Sequence, residues 1–235
     1  MKVNKFRKIK LMILFFFFAS FINMGASCNH ENEDGSNIWS QVGGIDSTTG
    51  DVVTHSTPDL NLTQAIKYFA EKDYDSALVS FEKVLVTNPN NEELAKGYAG
   101  IGWSKVKKSG SILDGEKDFE LAYAAKTSNN DARVGMASAY LLKDKIHIRE
   151  AVQLLEAIGR SSNTEIVGEF DKEFVYNSEI GTGISNARVH ALLAACYYFN
   201  NQSADSETQI AIAKRLDPES DKVRSIETAI LTLGY

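Results

Sequence analysis

Two distant stretches of the chain place small, aromatic and proline residues at one set of intervals. Ala65, Tyr68, Ala77, Phe81 and Pro89 are separated by 3, 9, 4 and 8 positions. Ala194, Tyr197, Ser206, Ile210 and Pro218 repeat those intervals, with Ser206 in place of the alanine and Ile210 in place of the phenylalanine. Steps of three and four keep side chains on one helix face. Leu62, Ile66, Phe69 and Ala70 also recur at i, i+4, i+7 and i+8, and Ala77, Phe81, Val84 and Leu85 recur at a similar spacing. Each stretch closes on Asn88-Pro89 or Asp217-Pro218, and a proline disfavours helix in the residue before it. The pattern predicts pairs of antiparallel helices repeated along the chain. One such pair cannot bury its apolar face alone, so stacking of neighbours must supply the core.

The middle repeats are looser. In 92–127, Gly102 takes the small position, Phe119 and Ala122 fall on the second helix, and Ser109 to Gly115 lengthens the turn. In 131–158, Ala137, Tyr140, Ala151, Leu155 and Ile158 fit a turn two residues longer. Glu219 to Leu233, with Val223, Ile226, Ile230 and Leu231, reads as a capping helix whose outer face carries Lys222, Arg224 and Ser225. Gly159 to Ser185 fits no repeat. Its apolar residues (Phe170, Phe174, Val175, Tyr176) predict a short helix or extended piece packed on the stack, serving either as a structural insert or as part of a binding surface.

These spacings resemble the tetratricopeptide (TPR) repeat. The resemblance implies an all-α solenoid of about four units plus a cap over 58–235, with the insert at 159–185. It also implies a concave groove, lined by the first helix of each unit, that binds a protein or peptide. Carried over by position, that groove takes Leu62, Ile66 and Phe69; Lys96, Trp103 and Lys107; Val134, Leu141 and Leu142; and Arg188, Ala195, Tyr198 and Phe199. The expected binding residues are Lys96, Trp103, Lys107, Leu142, Arg188, Tyr198 and Phe199. Trp103 and Tyr198 lead because Trp and Tyr dominate interface hot spots. Inter-repeat packing is the competing role for each.

The chain opens differently. Lys2, Lys5, Arg7, Lys8 and Lys10 precede an apolar block, Leu11 to Met24, that contains Phe15 to Phe18. A basic run, an apolar run and then small residues is the layout of a secretory signal peptide, here 1–27. The block is shorter than the roughly 20 residues a spanning helix needs. Gly25-Ala26-Ser27-Cys28 resembles the lipobox of bacterial lipoproteins, with Gly25 where that family usually has leucine. The resemblance implies cleavage before Cys28 and lipid on its sulfur and new amino group. The alternative is an ordinary cysteine able to pair with Cys196, although the run Ala194-Ala195-Cys196-Tyr197 predicts a buried thiol instead. Residues 28–57 lack apolar periodicity and read as a flexible tether.

Charge agrees with this division. Removing the first 27 residues takes away five of the 25 basic side chains and none of the 31 acidic ones, moving the net charge from −6 to −11. Such a body offers no footprint for nucleic acid and is repelled by anionic lipid, so an acyl anchor would carry the membrane attachment.

Catalytic signatures are missing. There is no H-E-x-x-H, G-x-S-x-G or G-x-x-x-x-G-K-[ST]. Gly97, Gly100 and Gly102 have the wrong order for a dinucleotide loop and fall in a helical pattern, where close packing accounts for them. His30, His55, His147 and His190 are not at paired metal-ligand spacings. The expectation is a non-enzyme without cofactor or metal. It would be a scaffold lipoprotein of the bacterial envelope that meets the membrane through Cys28 and an envelope protein or peptide through its groove. The alternatives are a ligand-binding or enzyme-accessory lipoprotein using the 159–185 insert, and a self-assembling structural lipoprotein.

Overall fold

The computed structural model describes residues 43–45, 52–54, 56–143, 145–159 and 174–233. The expected signal peptide and lipidation site, residues 1–28, lie outside the described residues. Ahead of the helical body, β1 (Gly43–Ile45) pairs antiparallel with β2 (Val52–Thr54), Gly43 opposite Thr54 and Ile45 opposite Val52. This hairpin falls in the stretch expected to be a flexible tether. Val52-Val53-Thr54 is a β-branched run, the composition that strands favour.

The body is all-α. Its described helices are α1 (Pro58–Ala70), α2 (Tyr74–Val86), α3 (Asn91–Ser109), α4 (Glu116–Ala125), α5 (Asn130–Tyr140), α6 (Lys145–Gly159), α7 (Asn186–Phe199), α8 (Ser203–Leu216) and α9 (Asp221–Leu233). A 3-10 turn, Ile112–Gly115, leads into α4. Each helix packs on the next in chain order; α1 also touches α3, α3 touches α5, and α7 touches α9. No described helix is long and apolar enough to cross a membrane.

Local chemistry sets the boundaries. Thr57 caps α1 with Pro58 in its first turn, and Asp73 caps α2 through the Ser76 amide. Asn90 and Glu93 form a reciprocal capping box at α3, and Gly110 ends that helix at φ 76°. The two well-marked repeats turn alike. Four residues after Tyr68 stands Lys72 at φ 64°, and four after Tyr197 stands Asn201 at φ 61°. In each turn the amide one residue further on reaches back to the tyrosine carbonyl: Asp73 to Tyr68 at 3.0 Å, Gln202 to Tyr197 at 2.9 Å. The same spacing thus yields the same left-handed helix end twice.

The small residues lie where helices meet. Ala65 and Ala77 are fully buried in the α1–α2 pair, with Phe81 beside them. In the α7–α8 pair, buried Ser206 donates its hydroxyl to the Ala194 carbonyl at 2.8 Å, so a polar residue is tolerated at an alanine position. The glycines of α3 are packing residues: a Cβ on Gly100 would lie 2.3 Å from the Phe81 ring, and one on Gly102 would lie 2.6 Å from Phe119. Burying each of these phenylalanines contributes about 1.5–3 kcal/mol. At the C-terminal end, α9 buries Val223, Ile226, Ala229 and Ile230, while Arg224 faces outward to Asp221 and Glu219.

Candidate functional site

The described half of the 159–185 insert is an irregular strap, Phe174 to Ile184, bent at Glu179 and Ile180 and lying across α3, α5 and α7. Its side chains alternate. Phe174, Tyr176, Ile180, Thr182 and Ile184 are buried; Val175, Asn177, Glu179, Gly181 and Gly183 are exposed. That period of two leaves one face of the strap covered, while the bends at Glu179 and Ile180 and the bond from the Thr182 amide to Ser178 Oγ at 2.9 Å turn the chain within it. Gly181 and Gly183 sit at φ 75° and 72°, a backbone that other residues adopt only with strain.

Asp131, in the first turn of α5, holds the centre of the strap. Its carboxylate accepts the Tyr176 hydroxyl at 2.6 Å, the Glu179 amide at 2.8 Å and the Ile180 amide at 3.3 Å. Burial raises its pKa, against the lowering effect of hydrogen bonds from Tyr176, Ser178, Glu179 and Ile180. Burial, then the adjacent Asp131 charge, raises Tyr176. The Thr182 hydroxyl completes the cluster 3.0 Å from the Tyr176 oxygen.

The flanks are held by α3 and α7. Lys107 Nζ donates to the Thr182 carbonyl at 2.8 Å, and burial, with Arg188 and Lys72 nearby, pushes this lysine down to about 7. Lys96 pairs with Glu179 at 3.1 Å and with Glu92 at 2.9 Å. On α7, Asn186 uses both ends of its amide. Its oxygen accepts from the Tyr176 amide at 3.0 Å, and its nitrogen donates to the Phe174 carbonyl at 3.2 Å. The Phe174 ring lies 4.3 Å from that of His190, which also meets Gln209 Oε1 at 2.7 Å.

The expected groove residues divide on this geometry. Lys96 and Lys107 contact the strap directly. Trp103 is 0% exposed; its indole N–H donates to the Asp131 main-chain carbonyl at 3.1 Å and its ring lies 5.1 Å from Phe119. It is therefore packed in the core beside Asp131 and presents no free surface. Arg188 is buried, and burial pulls its guanidinium down to about 10. Leu142 and Tyr198 are half-buried against the core and Phe199 is buried in it, away from the strap's hydrogen bonds. Leu62, Phe69, Val134, Leu141 and Ala195 are buried core residues, with Ile66 packed against them. Cys196 is buried. His147 lies in the first turn of α6, against Tyr140.

Sequence reasoning passed over Asp131, Thr182 and Asn186, and read Tyr176 only as apolar content of the insert. The alternation of Phe174, Tyr176, Ile180, Thr182 and Ile184 was the available signal for the strap. Asp131 carried none, since an acid in a first helical turn needs no partner beyond the helix dipole. What the arrangement can do chemically is grip an extended chain, with a carboxylate for amides and a hydroxyl, an amide for a peptide group, and an ammonium for a carbonyl. Among the described residues, no group of three His, Cys, Asp or Glu could hold a metal ion. Compared with known proteins, the chain matches no family model, no curated protein and no solved structure.

Proposed function

We propose that this protein is a membrane-tethered adaptor of the bacterial cell envelope. In this reading a TPR-type solenoid of about four helix pairs and a cap is carried on a lipidated Cys28 and binds an envelope protein or peptide, without catalysis. The observation that carries it is the order of parts: basic and apolar leader, small residues before Cys28, then stacked helix pairs. The twice-repeated tyrosine-anchored turn supports the repeat reading. So do the contacts α1–α3, α3–α5 and α7–α9, which are those a helix-pair stack makes. The side-chain grip on the strap is chemistry suited to an extended peptide.

The test is cross-linking in cells followed by membrane fractionation, comparing the natural chain with Cys28→Ala. The adaptor reading expects a cross-linked envelope protein in the membrane pool that leaves it when Cys28 is replaced. Recovery of no cross-linked protein, or a membrane pool unchanged by Cys28→Ala, would overturn it.

A further inference from the structure

The strap is held as a separate peptide would be held. Among the described residues, no backbone–backbone hydrogen bond joins Phe174–Ile184 to a helix. Its main-chain groups go instead to side chains: the Tyr176 and Phe174 peptide groups to Asn186, the Glu179 and Ile180 amides to Asp131 and the Thr182 carbonyl to Lys107 on the helices, and the Thr182 and Ile184 amides to Ser178 and Thr182 within the strap. Three helices each contribute one such contact set, and alternate side chains enter the core. A fixed element of the fold normally settles its backbone in a ladder or a helix. Here the backbone is read by side chains, with charge recognition added by Lys96 on Glu179.

We propose that the strap is an autoinhibitory occupant of the α3–α5–α7 face, and that an extended partner peptide competes with it there. The matching chemistry is a tyrosine, an acidic residue three positions later and an apolar residue next, the pattern of Tyr176, Glu179 and Ile180. The tyrosine hydroxyl and two amides satisfy Asp131, the acid pairs with Lys96, and a carbonyl further on takes Lys107. Such an occupant weakens a competitor by the fraction of time the face is free. If the strap is seated about 99% of the time, the apparent Kd rises roughly 100-fold. The existence of a partner rests on the adaptor reading; the strap's displaceability does not.

The probe is a fluorescein-labelled synthetic peptide covering residues 174–185, titrated by anisotropy against the full chain in detergent. Three forms are compared: the natural chain, Tyr176→Ala/Ile180→Ala, and that pair with Asp131→Asn added. The inference expects the double variant to bind the peptide at least about tenfold more tightly than the natural chain, and the triple variant to lose that gain. A double variant that keeps its helical circular dichroism yet binds no better overturns it. Should the double variant unfold, native-state hydrogen exchange on the natural chain decides. Glu179 and Ile180 amides at least about 100-fold less protected than the α3 interior show the strap opening alone; equal protection makes it an integral part of the fold and sinks the inference. Peptide binding without any cross-linked envelope protein would refute the adaptor reading while leaving the strap inference standing.

Discussion

Asp131 is the residue on which the strap depends most, and a double-mutant cycle with Tyr176 measures that dependence. Asp131→Asn keeps the shape and the first-turn position but replaces one acceptor oxygen with a donor. The new amide can accept either the Tyr176 hydroxyl or the two main-chain amides; it then faces the remaining donors with its own N–H groups. Hydrogen bonds to a charged acceptor contribute about 1.5–3 kcal/mol each, and a buried donor left unsatisfied costs about 1–3 kcal/mol. The Glu179 bond is only partly buried, and removing the carboxylate also relieves the burial that raises its pKa. The net loss should therefore be about 2–3 kcal/mol, since a strap seated about 99% of the time is held by about 2.7 kcal/mol and opens beyond that. Tyr176→Phe removes only the hydroxyl, which also meets Thr182, and should cost about 1–2 kcal/mol. Because the two losses share one bond of 2.6 Å, the double variant should be less damaged than their sum by about 1.5 kcal/mol or more. Urea unfolding followed by far-ultraviolet circular dichroism reads all four proteins. Losses that add within about 0.5 kcal/mol would mean the hydroxyl and carboxylate are not coupled, and the account of the site would fail.

Three further outcomes follow from the packing and charge. Trp103→Ala should destabilise the fold by about 3–5 kcal/mol, as a fully buried aromatic does, seen as a lower urea midpoint; a variant of natural stability would mean that Trp103 is not packed in the core. Gly100→Ala forces a Cβ to 2.3 Å from the Phe81 ring and should cost about 1–3 kcal/mol by overpacking; a stabilised protein in thermal melts would contradict the close α2–α3 approach. Lys107 is held at about 7 in the folded chain, below its ordinary 10.5, so between those values the unfolded chain binds more protons and stability rises with pH. Lys107→Met should lose that rise. The difference in unfolding free energy between the natural chain and Lys107→Met, from urea titrations, should move in favour of the natural chain from pH 7 to pH 10, by a few kcal/mol at about 1.36 kcal/mol per unit; a pH-independent difference would refute it.

The helices were readable because each depends on local rules. Three-and-four periodicity placed α1, α2, α7 and α8, and Asn88-Pro89 and Asp217-Pro218 marked ends of helix pairs. The glycines of α3 were read as packing residues from their helical setting, and Phe81 and Phe119 occupy the space they leave. The strap was legible only as apolar content. Its period of two is interrupted at Ser178, and what covers its inward face lies some 45 residues earlier, at Asp131. Contacts that distant leave no mark on local spacing. For the same reason Trp103, expected in an open groove, gave no sign that it would be fully buried against Phe119 and the Asp131 carbonyl. The β1–β2 hairpin escaped notice because its strands are three residues each in a polar stretch.

The account stands or falls on the anchor that would make a helical stack an envelope adaptor. Intact-mass spectrometry of the protein extracted from its own membranes tests this directly. The predicted result is a chain beginning at Cys28 and heavier than its sequence by the mass of its acyl groups. A mature chain beginning at any other residue, or Cys28 with an unmodified thiol, would contradict it.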